Sequence, residues 1–168
     1  QMAYLPEDRK NEGIISDLSV RENLIMALQA KRGMFHLLSR KQQEEFTDKY
    51  IDMLQIKTAS RETPIKSLSG GNQQKVIIGR WLLTNPDFLI LDEPANGLDP
   101  FGIRQLREML VSFAESGMTV LVSSHILGEI QQTADYIGIL ANGVLGYQGG
   151  QQENLEELFT EIVSRNRG

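Results

Sequence analysis

Three pieces of the stretch from Ser67 to Pro100 decide how this chain reads: Leu68-Ser69-Gly70-Gly71-Asn72-Gln73-Gln74-Lys75, then Phe88-Leu89-Ile90-Leu91-Asp92-Glu93-Pro94, then Asn96-Gly97-Leu98-Asp99-Pro100. The first predicts a loop entering a helix, with Ser69 at the N-cap. Glycines there let backbone N–H groups approach an anion. The second predicts a short strand, and its continuous apolar run suits burial on both faces of a parallel sheet. It stops at two carboxylates and a proline. Paired acids at the carboxyl end of a strand suit a divalent metal and a water to be activated. Phosphate-binding loop, metal carboxylate and second carboxylate together point to a nucleoside triphosphate.

These pieces resemble the signature loop, Walker B strand and D-loop of an ABC-transporter ATP-binding subunit. His125, which follows the apolar run Met118 to Val122 and Ser123-Ser124, matches the switch histidine of that family. The resemblance covers nearly the whole chain. It implies an α/β fold: part of a P-loop NTPase (RecA-like) core sheet with helices, plus a helical subdomain. The helical subdomain would take roughly residues 8–85 with the signature, and the core lobe residues 1–7 and 86–168.

The resemblance also implies roles and cofactors, ATP and Mg²⁺. Asp92 would hold Mg²⁺, commonly through water, and Glu93 would polarise the attacking water. His125 would contact the γ-phosphate. Ser69, Gly70 and Gly71, with Gln73 beside them, would bind the nucleotide held by an opposite subunit, and Asp99 would link the two sites. Glu7 stands where the family usually carries the glutamine of its Q-loop. It is a candidate metal contact, and a solvated loop charge explains it equally well. Ala95 replaces the more usual threonine or serine, which predicts a local packing change and no loss of chemistry.

The implied partners are transmembrane permease subunits and a second ABC ATP-binding domain in a head-to-tail dimer, on the cytoplasmic face of a membrane. One family element is not found. A P-loop reads G-x-x-x-x-G-K-[ST], and neither Gly70-Gly71 nor Gly149-Gly150 continues into such a run. The leading expectation is the C-terminal portion of a longer subunit, inactive without a P-loop. The other is an ABC-like interaction module that docks on a membrane or ATPase partner without hydrolysis. Up to about Leu91 the wording resembles monosaccharide importers. From Asn96 through Ser123-Ser124-His125-Ile126-Leu127 to Gly149 it is closer to drug or lantibiotic exporters, so a mosaic chain and either direction of transport stay open. ABC ATPases of DNA repair or translation are disfavoured by that wording and by the charge.

Composition sets the outer bounds. The 168 residues are 40% hydrophobic and 23% charged, with a net charge of −5, ordinary for one globular domain with a sizeable core. An acidic balance argues against a general nucleic-acid binder. No cysteine is present, so no disulfide framework or thiol zinc site is expected. No apolar run approaches the roughly 18 residues of a membrane span, which argues against direct membrane insertion.

The rest of the chain reads as alternating strands and helices. Met2 to Leu5 predicts a strand, followed by the charged turn Pro6 to Gly13. Ser19-Val20-Arg21-Glu22 is a capping box opening a helix, and residues 40–57 predict a second helix. Lys31 to Arg40 between them mixes bases with Met34, Phe35, Leu37 and Leu38. It reads as an ordinary connection burying its own apolar residues or, slightly less favoured, as a partner-facing patch; His36 has no partner at ligand spacing. Asp99 with Pro100 opens a further helix that Gly117 stops, and Leu127 to Ala134 predicts another. Asn142-Gly143 between two apolar runs signals a type I′ hairpin. A last helix buries Leu155, Leu158, Phe159 and Ile162, before a polar tail from Arg165.

Overall fold

The computed structural model describes residues 2–165, the side chains of residues 10 and 11 excepted. The end of the expected polar tail, 166–168, lies outside the described residues. The chain divides into two compact units, Gln1–Ser123 and Ser124–Gly168.

In the first unit three strands form a parallel sheet in the order β1 (Met2–Leu5), β2 (Phe88–Asp92), β3 (Thr119–Ser123). The register sets Met2, Phe88 and Thr119 side by side, then Tyr4, Ile90 and Leu121. Side chains alternate across a sheet, so these residues share one face with Asp92 and Ser123. The opposite face carries Ala3, Leu5, Leu89 and Leu91, all essentially buried. The first face is open: Met2, Tyr4 and Leu121 are exposed, while Phe88 and Ile90 are half-buried. This corrects the expectation of a strand buried on both faces. A continuous apolar run specifies that both faces can be covered, and here one is.

Four helices belong to the same unit: α1 (Val20–Arg32), α2 (Arg40–Met53), α3 (Gly70–Leu82) and α4 (Pro100–Glu115). The capping box opens α1 as expected, with Ser19 Oγ accepting from Glu22 N–H and Glu22 Oε2 accepting from Ser19 N–H at 2.8 Å. Ser39 and Gln42 make a second box at the start of α2. Packing of α1 on α3 and α2, and of α3 on β1, puts α3 at the centre.

Every residue of α3 from Gln73 to Arg80 is buried, including four polar ones whose groups need partners. Gln73 Nε2 donates to the carbonyls of Ile65 and Leu68, at 3.3 and 3.1 Å. Lys75 Nζ reaches the Gln55 carbonyl at 3.2 Å, and burial pushes this ammonium below its ordinary value. Arg80 donates to Asn23 O, Asn23 Oδ1 and Gly13 O at 2.6–2.7 Å. Burial lowers its guanidinium to about 10. Asn23, itself wholly buried, spends its amide on the carbonyls of Ile15, Leu18 and Ser19. One polar network thus joins α3, α1 and the segment between β1 and α1.

The connection between α1 and α2 overturns the favoured expectation. Leu38 alone is buried; Met34, Phe35 and Leu37 are 85%, 95% and 71% exposed, and His36 is also exposed. Gly33, at φ +81°, turns the chain after α1, which removes these residues from the helical stripe that faces the core.

The second unit holds α5 (Leu127–Thr133), the antiparallel hairpin of β4 (Tyr136–Ala141) and β5 (Val144–Gly150), and α6 (Leu155–Arg165). Asn142 and Gly143 both have positive φ, as a type I′ turn requires. Ile137, Ile139, Ala141, Leu155 and Ile162 form its core. Leu158 is half-buried against it, whereas Phe159 is 36% exposed and not part of the buried set.

Candidate functional site

The two acids stand where the parallel sheet ends. Asp92 is the last residue of β2, on the open face, and Glu93 follows at φ +43°. A left-handed backbone at a non-glycine residue is uncommon. It turns the chain sharply, and Asn96 N–H closes the turn on the Glu93 carbonyl at 3.0 Å.

Ser123, opposite Asp92 in the register, organises both acids. Its hydroxyl donates to Asp92 Oδ1 at 2.5 Å and accepts from Glu93 N–H at 3.0 Å. Tyr4, two residues along on the neighbouring strand, donates to Asp92 Oδ2 at 3.3 Å. Desolvation first, then the Asp92 carboxylate, holds the Tyr4 phenol above its ordinary value. Both Asp92 oxygens are therefore oriented by hydroxyls from flanking strands. Sequence reasoning assigned no role to Ser123 or Tyr4; only the strand register brings them to Asp92.

Ser69 occupies the N-cap of α3 but makes no side-chain cap bond, which corrects one part of the expectation. Its hydroxyl instead accepts from Asn72 Nδ2 at 2.9 Å, and Asn72 Oδ1 accepts from Lys57 N–H at 2.7 Å. The two glycines differ. A Cβ on Gly70 would lie 2.9 Å from an Arg9 terminal nitrogen and 3.2 Å from the Gly97 carbonyl, whereas a Cβ on Gly71 would meet nothing within 4 Å. A side chain at Gly70 would displace the Arg9 tip and press on the Gly97 carbonyl, whereas packing within the chain sets no such limit at Gly71. The Gln73 side chain is turned inward onto the Ile65 and Leu68 carbonyls, where it braces the approach to Ser69.

Glu7 and Asp99 also have partners. Glu7 Oε1 accepts from Asn96 Nδ2 at 3.1 Å, which ties the segment after β1 to the turn after β2. Asp99 Oδ1 accepts from Gly102 N–H at 2.7 Å and caps α4, with Pro100 in its first turn. His125 belongs to the second unit, two residues past the end of β3, and is exposed. The structure thus brings Asp92, Glu93, Glu7 and the turn leading to Asp99 to one end of the sheet. Among the described residues no group of three or more His, Cys, Asp or Glu forms a protein-only metal cage.

The ABC transporter family model matches residues 1–96, which carry the signature helix and both acids. The chain belongs to the ABC transporter family. It is 48% identical over 139 residues to the galactofuranose transporter ATP-binding protein YtfR of Escherichia coli strain K12, covering 83% of this chain and 28% of that protein. It is 45% identical over 140 residues to the fructose import ATP-binding protein FruK of Bifidobacterium longum, covering 83% and 27%. The ribose import ATP-binding protein RbsA of Clostridium perfringens strain 13 aligns at 36% identity over 167 residues, 98% of this chain and 33% of that protein. The chain thus spans a third or less of the length of these relatives. The alignment with RbsA also carries the likeness to a sugar importer through the second half, including the run from Asn96 to Gly149 whose wording is closer to exporters. Among solved structures, the dimeric post-hydrolysis form of the ATP-binding cassette MJ0796, bound to ADP and Pi, superposes with a TM-score of 0.74. It is 22% identical, covering 90% of this chain and 63% of that one, a likeness of fold. The ABC chain has no described helix long and apolar enough to cross a membrane.

Proposed function

We propose that this ABC domain supplies the signature, Walker B, D-loop and switch elements of an ATPase that drives transmembrane transport of a sugar. The observation that carries the reading is the Ser123-organised pair of acids at the end of β2. Glu93 polarises the attacking water, held in direction by its left-handed backbone and its N–H bond to Ser123. Asp92 offers hard oxygen donors, and a site without a protein cage suits Mg²⁺, which takes one or two carboxylates plus water and phosphate oxygens. Asp92 would hold that ion, and bound Mg²⁺ would neutralise charge on the phosphates. In this reading Glu7 serves by holding Asn96.

Ser69, Gly70 and Gly71 present the start of α3 to nucleotide phosphates, with Gln73 as the brace behind them, while His125 contacts the terminal phosphate. A second ATP-binding domain faces this one head to tail. Asp99, as the cap of α4, sets the turn that links the two sites. Permease subunits in the membrane receive the motion, which places the protein on the cytoplasmic face. ATP binding favours the closed pair and hydrolysis releases it. The sugar names carried by FruK, YtfR and RbsA support a sugar as cargo.

The test is ATP turnover and sugar uptake by the intact transporter, wild type against Glu93→Gln. The reading requires both activities to disappear in the variant while ATP still binds. Turnover that survives Glu93→Gln overturns it and favours a docking module.

A further inference from the structure

We propose that Arg9 is a positioning residue that locks the first turns of α3 to the Asn96–Gly97 turn. This deepens the proposed function and rests on the reading that Gly70 and Gly71 face nucleotide phosphates.

Arg9 opens a single π-helical turn, Arg9–Gly13, two residues after Glu7. Its guanidinium reaches across 65 residues to Gln74 Oε1, at 3.5 Å, and across 87 residues to the Asn96 carbonyl, at 3.4 Å. The other terminal nitrogen fills the space beside two glycines: a Cβ would come within 2.9 Å of it from Gly70 and 3.6 Å from Gly97. From the same segment Glu7 holds the side chain of Asn96 at 3.1 Å. Asn96 is thus gripped by its carbonyl and its amide at once, and α3 is tied in through Gln74.

Stability alone does not account for this arrangement. The guanidinium is half-buried, its Nε is buried without a hydrogen-bond partner, and its two bonds are long and go to neutral oxygens. Among the described residues no carboxylate forms an ion pair with it, and burial lowers its pKa. A half-buried cation with such partners costs more than long neutral bonds return. What the planar fork does supply is geometry: Nη1 donates to both elements at once, while Nη2, held in the same plane, fills the space beside Gly70 and Gly97. A lysine ammonium is a single nitrogen on a flexible stem, so it cannot both bridge Gln74 to Asn96 and fill the space beside the two glycines.

The experiment compares Arg9→Met and Arg9→Lys with wild type in the intact protein, by amide hydrogen exchange and by ATP turnover. Both variants are expected to speed exchange about tenfold at Gln73, Gln74, Asn96 and Leu98 together, leaving α1, α2 and the thermal midpoint unchanged. In turnover both raise KM for ATP about tenfold, with kcat within about threefold of wild type. An Arg9→Lys protein that behaves as wild type overturns the proposal, because charge and not the fork then suffices. So does exchange that rises in only one of the two segments, exchange that rises throughout the unit, or an unchanged KM. Glu93→Gln runs alongside. Should it retain turnover, the ATPase reading fails, and the exchange arm alone decides whether Arg9 locks the two segments.

Discussion

Ser123 Oγ donates to Asp92 Oδ1 at 2.5 Å, and the same oxygen accepts the backbone N–H of Glu93 at 3.0 Å. One hydroxyl on β3 therefore sets the orientation of one acid and the backbone turn that aims the other. Tyr4 fixes the second Asp92 oxygen more loosely, at 3.3 Å.

Ser123→Ala removes both bonds and leaves the sheet hydrogen bonds in place. The expected stability loss is about 1 kcal/mol, since the site is open enough for water to replace the hydroxyl. Turnover should fall more, by about tenfold, because misdirected acids lose rate before they lose fold. Ser123→Thr keeps the hydroxyl and should recover most of the activity. The measurements are ATP hydrolysis beside thermal unfolding of the same preparations.

Gly70 and Gly71 should respond in opposite ways to alanine. At Gly70 the added methyl meets Arg9 and the Gly97 carbonyl, and a stability loss of about 1–2 kcal/mol is expected from overpacking. At Gly71 it meets open space, and alanine in a helix is favoured over glycine by up to about 1 kcal/mol. Gly71→Ala should therefore be as stable as wild type or slightly more so, and still lose ATP turnover, since under the proposed function a phosphate approaches that backbone. Urea unfolding and ATP turnover of the two variants separate the cases; an active Gly71→Ala protein removes that glycine from the site.

The opening of α1 gives the fold an acid limit. Glu22 accepts from the backbone N–H and hydroxyl of Ser19, which holds its carboxyl below the usual value, backbone bond first. A carboxylate whose folded pKa is depressed contributes stability above its unfolded pKa and loses it as pH falls through the folded value. Stability should thus decline from the ordinary glutamate range downward, and Glu22→Gln should flatten that decline. Ser19→Ala should cost about 1 kcal/mol near neutral pH, as loss of an N-cap does. Urea unfolding between pH 3 and 7 checks the sign; the window follows from a glutamate pKa of about 4.3.

What could be read from the sequence is what neighbouring residues decide among themselves. Ser19 with Glu22, Asn142 with Gly143, and Asp99 with Pro100 each carry their geometry within four residues, and each stands as expected. Strands Met2–Leu5 and Phe88–Asp92 follow from their apolar runs. The contacts that shape the site are of another kind. Arg9 meets Gln74 and Asn96 from 65 and 87 residues away, and Tyr4 meets Asp92 from 88. No periodicity encodes such a pairing; it exists only once the register of β1, β2 and β3 is set. The same limit hid the exposure of one sheet face, because an apolar strand looks alike whether one side is covered or two.

The exposed connection between α1 and α2 leads to the last expectation. Met34, Phe35 and Leu37 lie outside the core of their unit at 71–95% exposure, while Leu38 anchors the segment and Gln29 Oε1 accepts its N–H at 2.9 Å. Three adjacent large apolar side chains in water lower solubility unless something covers them, and the proposed function supplies an occupant, a permease segment. Phe35→Ser should then leave the unfolding midpoint within about 0.5 kcal/mol of wild type, as changes at exposed positions do. Sugar uptake by the intact transporter should drop about tenfold or more, because a loosened contact no longer transmits closure, at a cost on the scale of an interface hot spot. ATP turnover should persist uncoupled from uptake. Stability measured beside uptake decides the matter: a Phe35→Ser protein that unfolds earlier places the ring in a core, and one that transports normally shows that this patch carries no coupling.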